Sequence, residues 1–228
     1  MTPNLQPSDL APAGLPHKAR DLMTGTPGSV FVVAAPSGAG KTSLVKHLLT
    51  QRPHIQLSVS YTTRKPRPGE QNGVDYNFVD VTTFEQNIAA GDLLEWAKVH
   101  GNYYGTSASW VAEKTRLGID IVLEIDWQGT RQVAQRFDDL ISIFILPPSL
   151  QTLHDRLKAR GQDDEQTIER RLLAAAEEIS HVKEYQYVII NQDFSIAVAT
   201  LCAVADSARA RTSKQLSANP ELYDALVK

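Results

Sequence analysis

The residues best suited to chemistry form one glycine-rich segment, Ala35-Pro36-Ser37-Gly38-Ala39-Gly40-Lys41-Thr42-Ser43. This segment matches the phosphate-binding loop (P-loop) of nucleotide-binding proteins, with alanine in place of the first glycine of the general pattern. The two glycines let successive backbone N–H groups turn inward to hold phosphate oxygens, and the helix that follows adds the positive end of its dipole. All nine residues are therefore predicted to bind a nucleoside triphosphate.

Two side chains of this loop have specific roles in the prediction. Lys41 can reach the β- and γ-phosphates, and the Thr42 hydroxyl can ligate Mg²⁺ directly or through water. The alternative is a glycine-rich turn between a strand and a helix that binds nothing. The context favours a nucleotide site, because the loop follows an apolar run at Val30–Ala34 and precedes residues 42–51, where apolar residues recur at helical spacing.

A second segment has residue types suited to a phosphate dianion. Arg64 and Arg67 are three residues apart and are stiffened by neighbouring prolines, so their guanidinium groups can form a fork. Tyr76 can add a hydroxyl donor, and Ser60 adds a short polar group. The alternative for the arginine pair alone is a basic surface turn.

The apolar runs predict an α/β fold with a parallel central sheet flanked by helices. Strands are predicted at residues 30–34, 119–125, 141–146 and 187–190. Helices are predicted at residues 42–51, 107–117, 130–137, 149–160, 164–179 and 195–211. This alternation is typical of parallel sheets, since each connection must cross a face of the sheet.

Residues 55–105 interrupt the alternation, because they are rich in turn-forming and β-forming residues. We interpret residues 58–106 as a small, mostly β insertion in a domain that spans residues 28–212. The proline-rich residues 1–27 are predicted to form a flexible tail, with no role or with an oligomer contact as alternatives. Residues 213–228 are predicted to form a C-terminal tail or a short helix.

Three helix starts carry capping signals. Thr82 and Glu85 form a capping box for the one helix predicted inside the insertion. Ser149 is predicted to cap the helix that ends near residue 160. Asp163 and Gln166 suit a capping box for the helix that follows.

The composition is that of an ordinary globular protein, with 42% hydrophobic and 21% charged residues among 228 and a formal net charge of -3. The acidic balance argues against a general nucleic-acid binder, which would carry a basic surface. The longest apolar run, residues 140–146, is too short to span a bilayer, and the N-terminus lacks the features of a secretory signal. A single cysteine, Cys202, is typical of a reducing compartment. We therefore expect a cytoplasmic protein without nucleic-acid or membrane partners.

Several separated motifs resemble those of guanylate kinases, and closely those of the bacterial ones, from about residue 28 to residue 211. Besides the P-loop, they are Thr62-Thr63-Arg64-Lys65-Pro66-Arg67-Pro68-Gly69-Glu70, Gly101-Asn102-Tyr103-Tyr104-Gly105-Thr106, Ile125-Asp126-Trp127-Gln128-Gly129 and Ile143-Phe144-Ile145-Leu146-Pro147-Pro148. Bacterial members also carry alanine at the first P-loop position, so Ala35 fits. The resemblance implies transfer of the γ-phosphate of ATP to GMP, and to dGMP, in purine nucleotide metabolism. The products would be ADP and GDP, and Mg²⁺ would be the cofactor.

The resemblance also implies a GMP site on the insertion. The GMP phosphate would be held by Arg64, Arg67, Tyr76 and Tyr104. The guanine would be surrounded by Ser60, Glu95, Thr106 and Asp126, with Glu70 in the same pocket. A carboxylate such as Glu95 can accept from guanine N1–H and the exocyclic amine, whereas adenine has an acceptor at N1.

Two acidic residues keep open roles. Asp126 has a rival function as a Mg²⁺ ligand, as in many P-loop enzymes. Glu124 stands where the family usually has aspartate, which keeps the charge on a longer side chain.

By the same resemblance, residues 149–172 form a helical lid over ATP. Arg160 and Arg171 would close on the ATP phosphates and, with Lys41 and Arg64, form the catalytic set. Asn191 matches a position near the adenine. Because the GMP phosphate is itself the nucleophile, no general base is expected.

Two other functions fit parts of the pattern. Guanylate-kinase-like domains of scaffold proteins bind partners and have lost ATP binding, but the intact Lys41-Thr42 pair and the lid arginines argue against that class. A P-loop kinase with a different acceptor is disfavoured by the motifs around Arg64 and Tyr104. The small-molecule partners expected are ATP and GMP, and the sequence leaves a homo-oligomer open.

Overall fold

The computed structural model describes residues 26–99, 101–159, 161 and 164–227. Its strands are β1 (Val30–Ala34), β2 (Ile55–Leu57), β3 (Tyr61–Thr62), β4 (Asn77–Phe78), β5 (Leu93–Val99), β6 (Asn102–Ser107), β7 (Asp120–Glu124), β8 (Ile141–Leu146) and β9 (Tyr187–Ile190). Its α-helices are α1 (Lys41–Gln51), α2 (Val81–Ala90), α3 (Ala108–Arg116), α4 (Trp127–Ala134), α5 (Leu150–Ala159), α6 (Glu165–Ser180), α7 (Phe194–Arg209), α8 (Thr212–Ala218) and α9 (Pro220–Leu226). Arg160, Asp163 and residues 1–25 of the predicted tail lie outside the described residues.

A parallel sheet forms the centre of the fold, in the order β2-β7-β1-β8-β9. This confirms the predicted α/β fold with a parallel central sheet flanked by helices. Every residue of β1 is buried, and alternate residues face opposite layers. Phe31 and Val33 pack in the layer that contains α1 and α7, whereas Val30 and Val32 pack in the layer with α3 and α4. Burial on both faces explains why β1 is a continuous apolar run.

The edge strand β2 was not predicted from the sequence. Its three residues pair in parallel with β7, so they belong to the central sheet. They had been assigned to the region that interrupts the alternation, since a strand of this length has no period that distinguishes it from a loop.

A second sheet in the order β4-β3-β6-β5 contains the strands of the predicted insertion. Its β3–β6 and β5–β6 pairs are antiparallel, and its short β3–β4 pair is parallel. Helix α2 packs on this sheet through Phe84, which is fully buried and stacks on the Tyr103 ring at 5.1 Å. The predicted capping box at Thr82 was wrong: α2 is capped by Asp80, whose carboxylate accepts from the Thr83 N–H at 2.7 Å.

Helices α5 and α6 pack against each other over a small apolar cluster of their own. The cluster consists of Leu153, Leu157, Ile168 and Ala175. The predicted role of Ser149 is confirmed, since its hydroxyl accepts from the Thr152 N–H at 3.0 Å. Helix α6 is capped by Asp164, whose carboxylate accepts from the Thr167 N–H at 2.7 Å, one residue later than the predicted box.

The C-terminal region consists of two short helices, α8 and α9. Lys214 of α8 donates to the Pro27 carbonyl at 2.7 Å, which ties α8 to the segment just before β1. Within the described part of the chain, no helix has both the length and the apolar character needed to cross a membrane.

A buried carboxylate fixes the start of β7 to two other elements. The Asp120 side chain is only 2% exposed. One of its oxygens accepts from the Ser29 N–H at 2.7 Å, and the other accepts from Arg209 Nε at the end of α7, also at 2.7 Å. These hydrogen bonds fix the positions of β7, β1 and α7 relative to one another. A buried carboxylate that loses a partner is strongly destabilising, so all of the bonds contribute to the fold.

Removing the Arg209 side chain should therefore destabilise the fold. We expect Arg209→Ala to lower the free energy of unfolding by about 2 kcal/mol, less than for a fully buried pair because Arg209 itself is partly exposed. Denaturant unfolding measures this loss. Arg116→Ala, an exposed arginine at the end of α3, is the control and should change stability by no more than about 0.5 kcal/mol. Equal losses in both variants would contradict the role given to Asp120.

Candidate functional site

The P-loop connects the end of β1 to the start of α1. Gly38 and Gly40 have φ values of 95° and 97°, a region that residues with a side chain rarely adopt. Gly40 is the residue that precedes α1, so the free N–H groups of the first helical turn face the loop. The glycines are therefore required for the shape of this anion cradle.

Two side chains from other elements donate hydrogen bonds to the backbone of the loop. The Asn191 amide, buried at the end of β9, donates to the Ala39 carbonyl at 2.7 Å. Arg156 of α5 donates to the same carbonyl at 3.3 Å and to the Asn191 carbonyl at 3.0 Å. A Cβ at Gly40 would lie 2.4 Å from Asn191 Nδ2, so this support also depends on glycine. Asn191 was predicted to lie near adenine; its side chain contacts the loop backbone, and the adenine contact stays a prediction.

Thr42 lies beside an acidic residue at the end of β7. Its hydroxyl donates to Glu124 Oε2 at 3.2 Å. A hydroxyl and a carboxylate next to a phosphate cradle are oxygen ligands of the kind that Mg²⁺ prefers. Glutamate at position 124, where the family usually has aspartate, thus places its carboxylate within hydrogen-bond distance of the P-loop.

One cavity of about 460 Å³ joins the P-loop to the second sheet. Its loop side is lined by Ala35, Pro36, Ser37, Gly38, Gly40, Lys41, Thr42 and Ser43. Its opposite side is lined by Ser60, Tyr76, Glu95, Ala97, Val99, Tyr104 and Gly105. Its remaining wall is lined by Glu124, Ile125, Asp126 and Glu178. The structure therefore brings the two predicted phosphate-binding regions together around one space.

Glu95 is a buried carboxylate in the wall of this cavity. It is paired across β5 and β6 with Thr106, whose hydroxyl donates to Glu95 Oε1 at 2.6 Å. The other oxygen lies against Gly129 of α4, where a Cβ would come within 2.7 Å of it. Burial raises the pKa of Glu95 to about 7, the nearby Asp126 charge adds to the rise, and the Thr106 hydrogen bond opposes it.

Asp126 has a structural role besides lining the cavity. Its Oδ1 accepts from the Gly129 N–H at 2.9 Å and so caps α4. The cap fixes the carboxylate in the cavity wall. It also holds Gly129 beside Glu95, where a side chain would collide with the carboxylate.

Arg64 is held in place by Glu70 in a two-point ion pair. Its two terminal nitrogens donate to the two Glu70 oxygens at 2.9 and 2.8 Å. The guanidinium also lies over the Tyr76 ring, 5.3 Å from its centroid, and interacts with the Tyr104 hydroxyl. The Arg64 guanidinium and the Arg67 N–H lower the pKa of Glu70. Arg64 is thus fixed behind the tyrosines that line the cavity.

The remaining predicted residues are less closely tied to the cavity. The Arg67 side chain is exposed. Its backbone N–H donates to the Glu70 carboxylate at 2.7 Å, and its carbonyl accepts from the Glu70 N–H at 3.0 Å. Arg171 is partly buried on α6 and is not among the residues that line the cavity. Arg160, also in the predicted catalytic set, lies outside the described residues.

Two features of the site were not predicted from the sequence. One is the position of Glu178 in the cavity wall, and the other is the contact of Arg156 with the P-loop backbone. Glu178 follows Arg171 by seven residues, which is two helical turns, so the spacing alone could have placed the two on one face of α6. Arg156 gave no such signal, because its partners are backbone carbonyls distant in sequence.

Comparisons with known proteins agree with this geometry. The family model described as guanylate kinase matches residues 28–208. A guanylate kinase of Ralstonia nicotianae is 54% identical over 93% of this chain and 97% of its own length. One of Bordetella pertussis is 55% identical over 90% of this chain and 95% of its own length. The crystal structure of guanylate kinase from Anaplasma phagocytophilum superposes with a TM-score of 0.69 at 32% identity, covering 83% of this chain and 90% of that one.

The burial of Glu95 predicts a stability change with pH. Its folded pKa of about 7 lies above the ordinary value of 4.5, so the folded protein keeps a proton that the unfolded chain releases. This contribution to stability is complete below about pH 4.5 and is lost as the pH rises through 7. Relative to Glu95→Gln, the wild type should therefore lose on the order of 3 kcal/mol of unfolding free energy between pH 4.5 and pH 8.

Denaturant unfolding of both proteins at pH 4.5, 6 and 8 measures that difference. Glu85→Gln, which changes an exposed glutamate of α2, is the control and should follow the wild type at every pH. A constant difference between wild type and Glu95→Gln would show that the pKa of Glu95 is the same in the folded and unfolded states.

Proposed function

Because this chain belongs to the guanylate kinase family, we propose that its cavity binds ATP on the P-loop side and GMP on the side of the second sheet. The chain is an ATP:GMP phosphotransferase, which transfers the γ-phosphate of ATP to GMP. The observation that carries the assignment of sides is the single cavity that joins Lys41 and Thr42 to Glu95 and Tyr104. A reaction between two nucleotides needs both of them in one space, with the reacting phosphates adjacent.

Recognition of guanine is proposed for Glu95. Guanine presents N1–H and an exocyclic amine side by side, and an ionised carboxylate can accept from both. The Thr106 hydroxyl holds one oxygen of this carboxylate at 2.6 Å, which fixes its plane. Adenine would present a lone pair at N1 to this carboxylate, leaving buried groups unpaired. Ser60 and Asp126, which also line the cavity, complete the proposed guanine surroundings.

The GMP phosphate is proposed to lie beside Tyr76, Tyr104 and Arg64. The two tyrosine rings meet edge to face at 6.0 Å, so both hydroxyls are held at the cavity wall. Glu70 orients the Arg64 guanidinium by two hydrogen bonds, which leaves a fixed positive group behind the tyrosines. Arg67 is exposed in this structure, and its proposed contact with the phosphate requires its side chain to turn toward Tyr76 and Tyr104 when GMP binds.

Mg²⁺ is the proposed cofactor, and the residues present fit it. The Thr42 hydroxyl and the Glu124 carboxylate lie 3.2 Å apart beside the P-loop and offer the oxygen ligands this ion takes. When bound with ATP, the ion neutralises part of the charge on the phosphate chain. Asp126 is engaged in capping α4, which favours its role on the guanine side over the rival role as a metal ligand.

The chain itself contributes positioning and charge. The GMP phosphate oxygen is the nucleophile and already carries a negative charge, so no general base has to remove a proton. The P-loop N–H groups and Lys41 hold the ATP phosphates, and Arg64 neutralises the incoming GMP phosphate. We propose that residues 149–172 act as a lid whose arginines, Arg160 and Arg171, close over the phosphates and exclude water. We further propose that dGMP is also an acceptor and that the enzyme works in the cytoplasm.

An ADP-release assay with a panel of acceptors tests the base assignment. We expect wild-type activity with GMP and dGMP and background rates with AMP, CMP and UMP. Glu95→Gln replaces one acceptor oxygen with a donor, so kcat/KM for GMP should fall by about 30- to 1,000-fold, while the KM for ATP stays within about twofold. Normal use of GMP by this variant, or equal losses of ATP and GMP affinity, would mean that Glu95 is not the residue that recognises guanine.

Substitution of the P-loop lysine tests the ATP side. Lys41→Ala should fold normally and lose about two to three orders of magnitude in turnover, the scale for one preorganised charged donor. Lys46→Ala, an exposed lysine on the same helix, is the control and should keep wild-type turnover. Turnover of the Lys41 variant within a few-fold of wild type would refute the ATP assignment.

A further inference from the structure

The cavity contains one carboxylate that the proposed reaction does not use. Glu95, Glu124 and Asp126 each have a hydrogen-bond partner and a proposed role. Glu178 also lines this cavity, but it comes from α6, a helix that contributes no other cavity-lining residue. A carboxylate is not expected to line a space that is proposed to receive the phosphate chain of ATP and the phosphate of GMP, since like charges repel.

Helix α6 carries this carboxylate on the same face as a proposed catalytic cation. Glu178 follows Arg171 by seven residues, and seven residues at 100° each return to within about 20° of the same direction. Ala175 lies between them on that face and is buried, only 1% exposed. The side of α6 that bears Arg171 and Glu178 is thus the side packed against the protein, and the two charges are two turns apart on one rigid element.

The charged groups that act on Glu178 come from three directions. From α1, the Lys41 ammonium favours its ionised form. From the start of α4, Asp126 disfavours that form, as does Glu177 on α6 itself. The Tyr185 hydroxyl, which also interacts with Glu178, bonds to Thr130 at 3.0 Å. The only cation among these groups is the P-loop lysine, so the attraction that the site offers Glu178 is toward Lys41. Burial raises the pKa of Glu178 to about 7, so a substantial part of it is ionised at neutral pH.

We propose that Glu178 is a positioning residue for phosphoryl transfer and that it acts through Lys41. This proposal rests on the proposed function. Its carboxylate attracts the flexible lysine side chain to the α6 side of the cavity. The same attraction fixes α6 relative to the P-loop, so that Lys41 and Arg171 approach the phosphates from set directions. Glu178 contacts no substrate atom in this proposal.

A positioning role and a binding role have opposite signatures in the kinetics. A carboxylate beside the ATP phosphates repels them, so its removal should leave the KM for ATP unchanged or lower it. Loss of a fixed lysine position should lower kcat, because small misplacements of a catalytic group cost rate. The expected result is thus a fall in kcat without a rise in KM.

The first test compares three variants of full-length enzyme. Glu178→Gln keeps the shape and removes the charge, and we expect kcat to fall about tenfold while neither KM rises. Glu178→Asp keeps the charge on a shorter side chain and should recover part of the loss. Glu169→Gln changes an exposed glutamate of the same helix and should have wild-type kinetics. Equal kcat in Glu178→Gln and Glu169→Gln would overturn the proposal.

A double-mutant cycle with Lys41→Met separates positioning from a general structural effect. If Glu178 acts through Lys41, Glu178→Gln should cost less than twofold in kcat in the Lys41→Met background. A full tenfold loss in that background would overturn the proposal, and this holds even if Glu178→Gln lowers the thermal midpoint. The outcome is distinct from failure of the proposed function, in which Lys41 substitutions alone would leave turnover intact.

Discussion

The mutual repulsion of two phosphate-bearing nucleotides is the constraint on which this structure depends. The γ-phosphate of ATP and the phosphate of GMP have to come into contact, and in water their charges oppose this. The groups proposed to offset this repulsion are the P-loop N–H groups and Lys41 on one side and Arg64, oriented by Glu70, on the other. The two terminal nitrogens of Arg64 are held by Glu70, so the position of this guanidinium does not depend on a ligand.

The parallel sheet brings residues from several strands to the P-loop. The carboxyl ends of β1, β7 and β9 lie at the same edge, and they are followed by the P-loop, by Asp126 and by Asn191. Glu124 from the last position of β7 reaches Thr42, and Asn191 reaches the Ala39 carbonyl. Because β1 is central and buried on both faces, this edge is a rigid platform for a loop that would otherwise adopt several conformations.

The sequence predicted the parts of the site that are encoded locally. The P-loop is a contiguous motif after a five-residue buried strand, so both the loop and the parallel sheet could be predicted. Strand β2 was missed because three residues show no period, and the start of α2 was misplaced because Asp80 and Thr82 are both good caps. The support of the Ala39 carbonyl by Arg156 could not be predicted, since it joins residues 117 positions apart through the packing of α5. The position of Glu178 could be predicted only in part. Helical spacing places it on the same face of α6 as Arg171, but its neighbours depend on how α6 packs against the rest of the protein.

The buried carboxylate of Glu95 also bears on how this enzyme would change under selection. In the free protein, burial disfavours the ionised form that is proposed to bind guanine and raises the pKa of Glu95 to about 7, and the neighbouring Gly129 gives it no additional donor from a side chain. A substitution that removes the charge and keeps the shape, such as Glu95→Gln, is thus expected to make the chain more heat-resistant at neutral pH. A directed-evolution screen that scores only thermal survival would therefore tend to enrich proteins that no longer distinguish guanine from other bases, and heat resistance and substrate fidelity would have to be selected together.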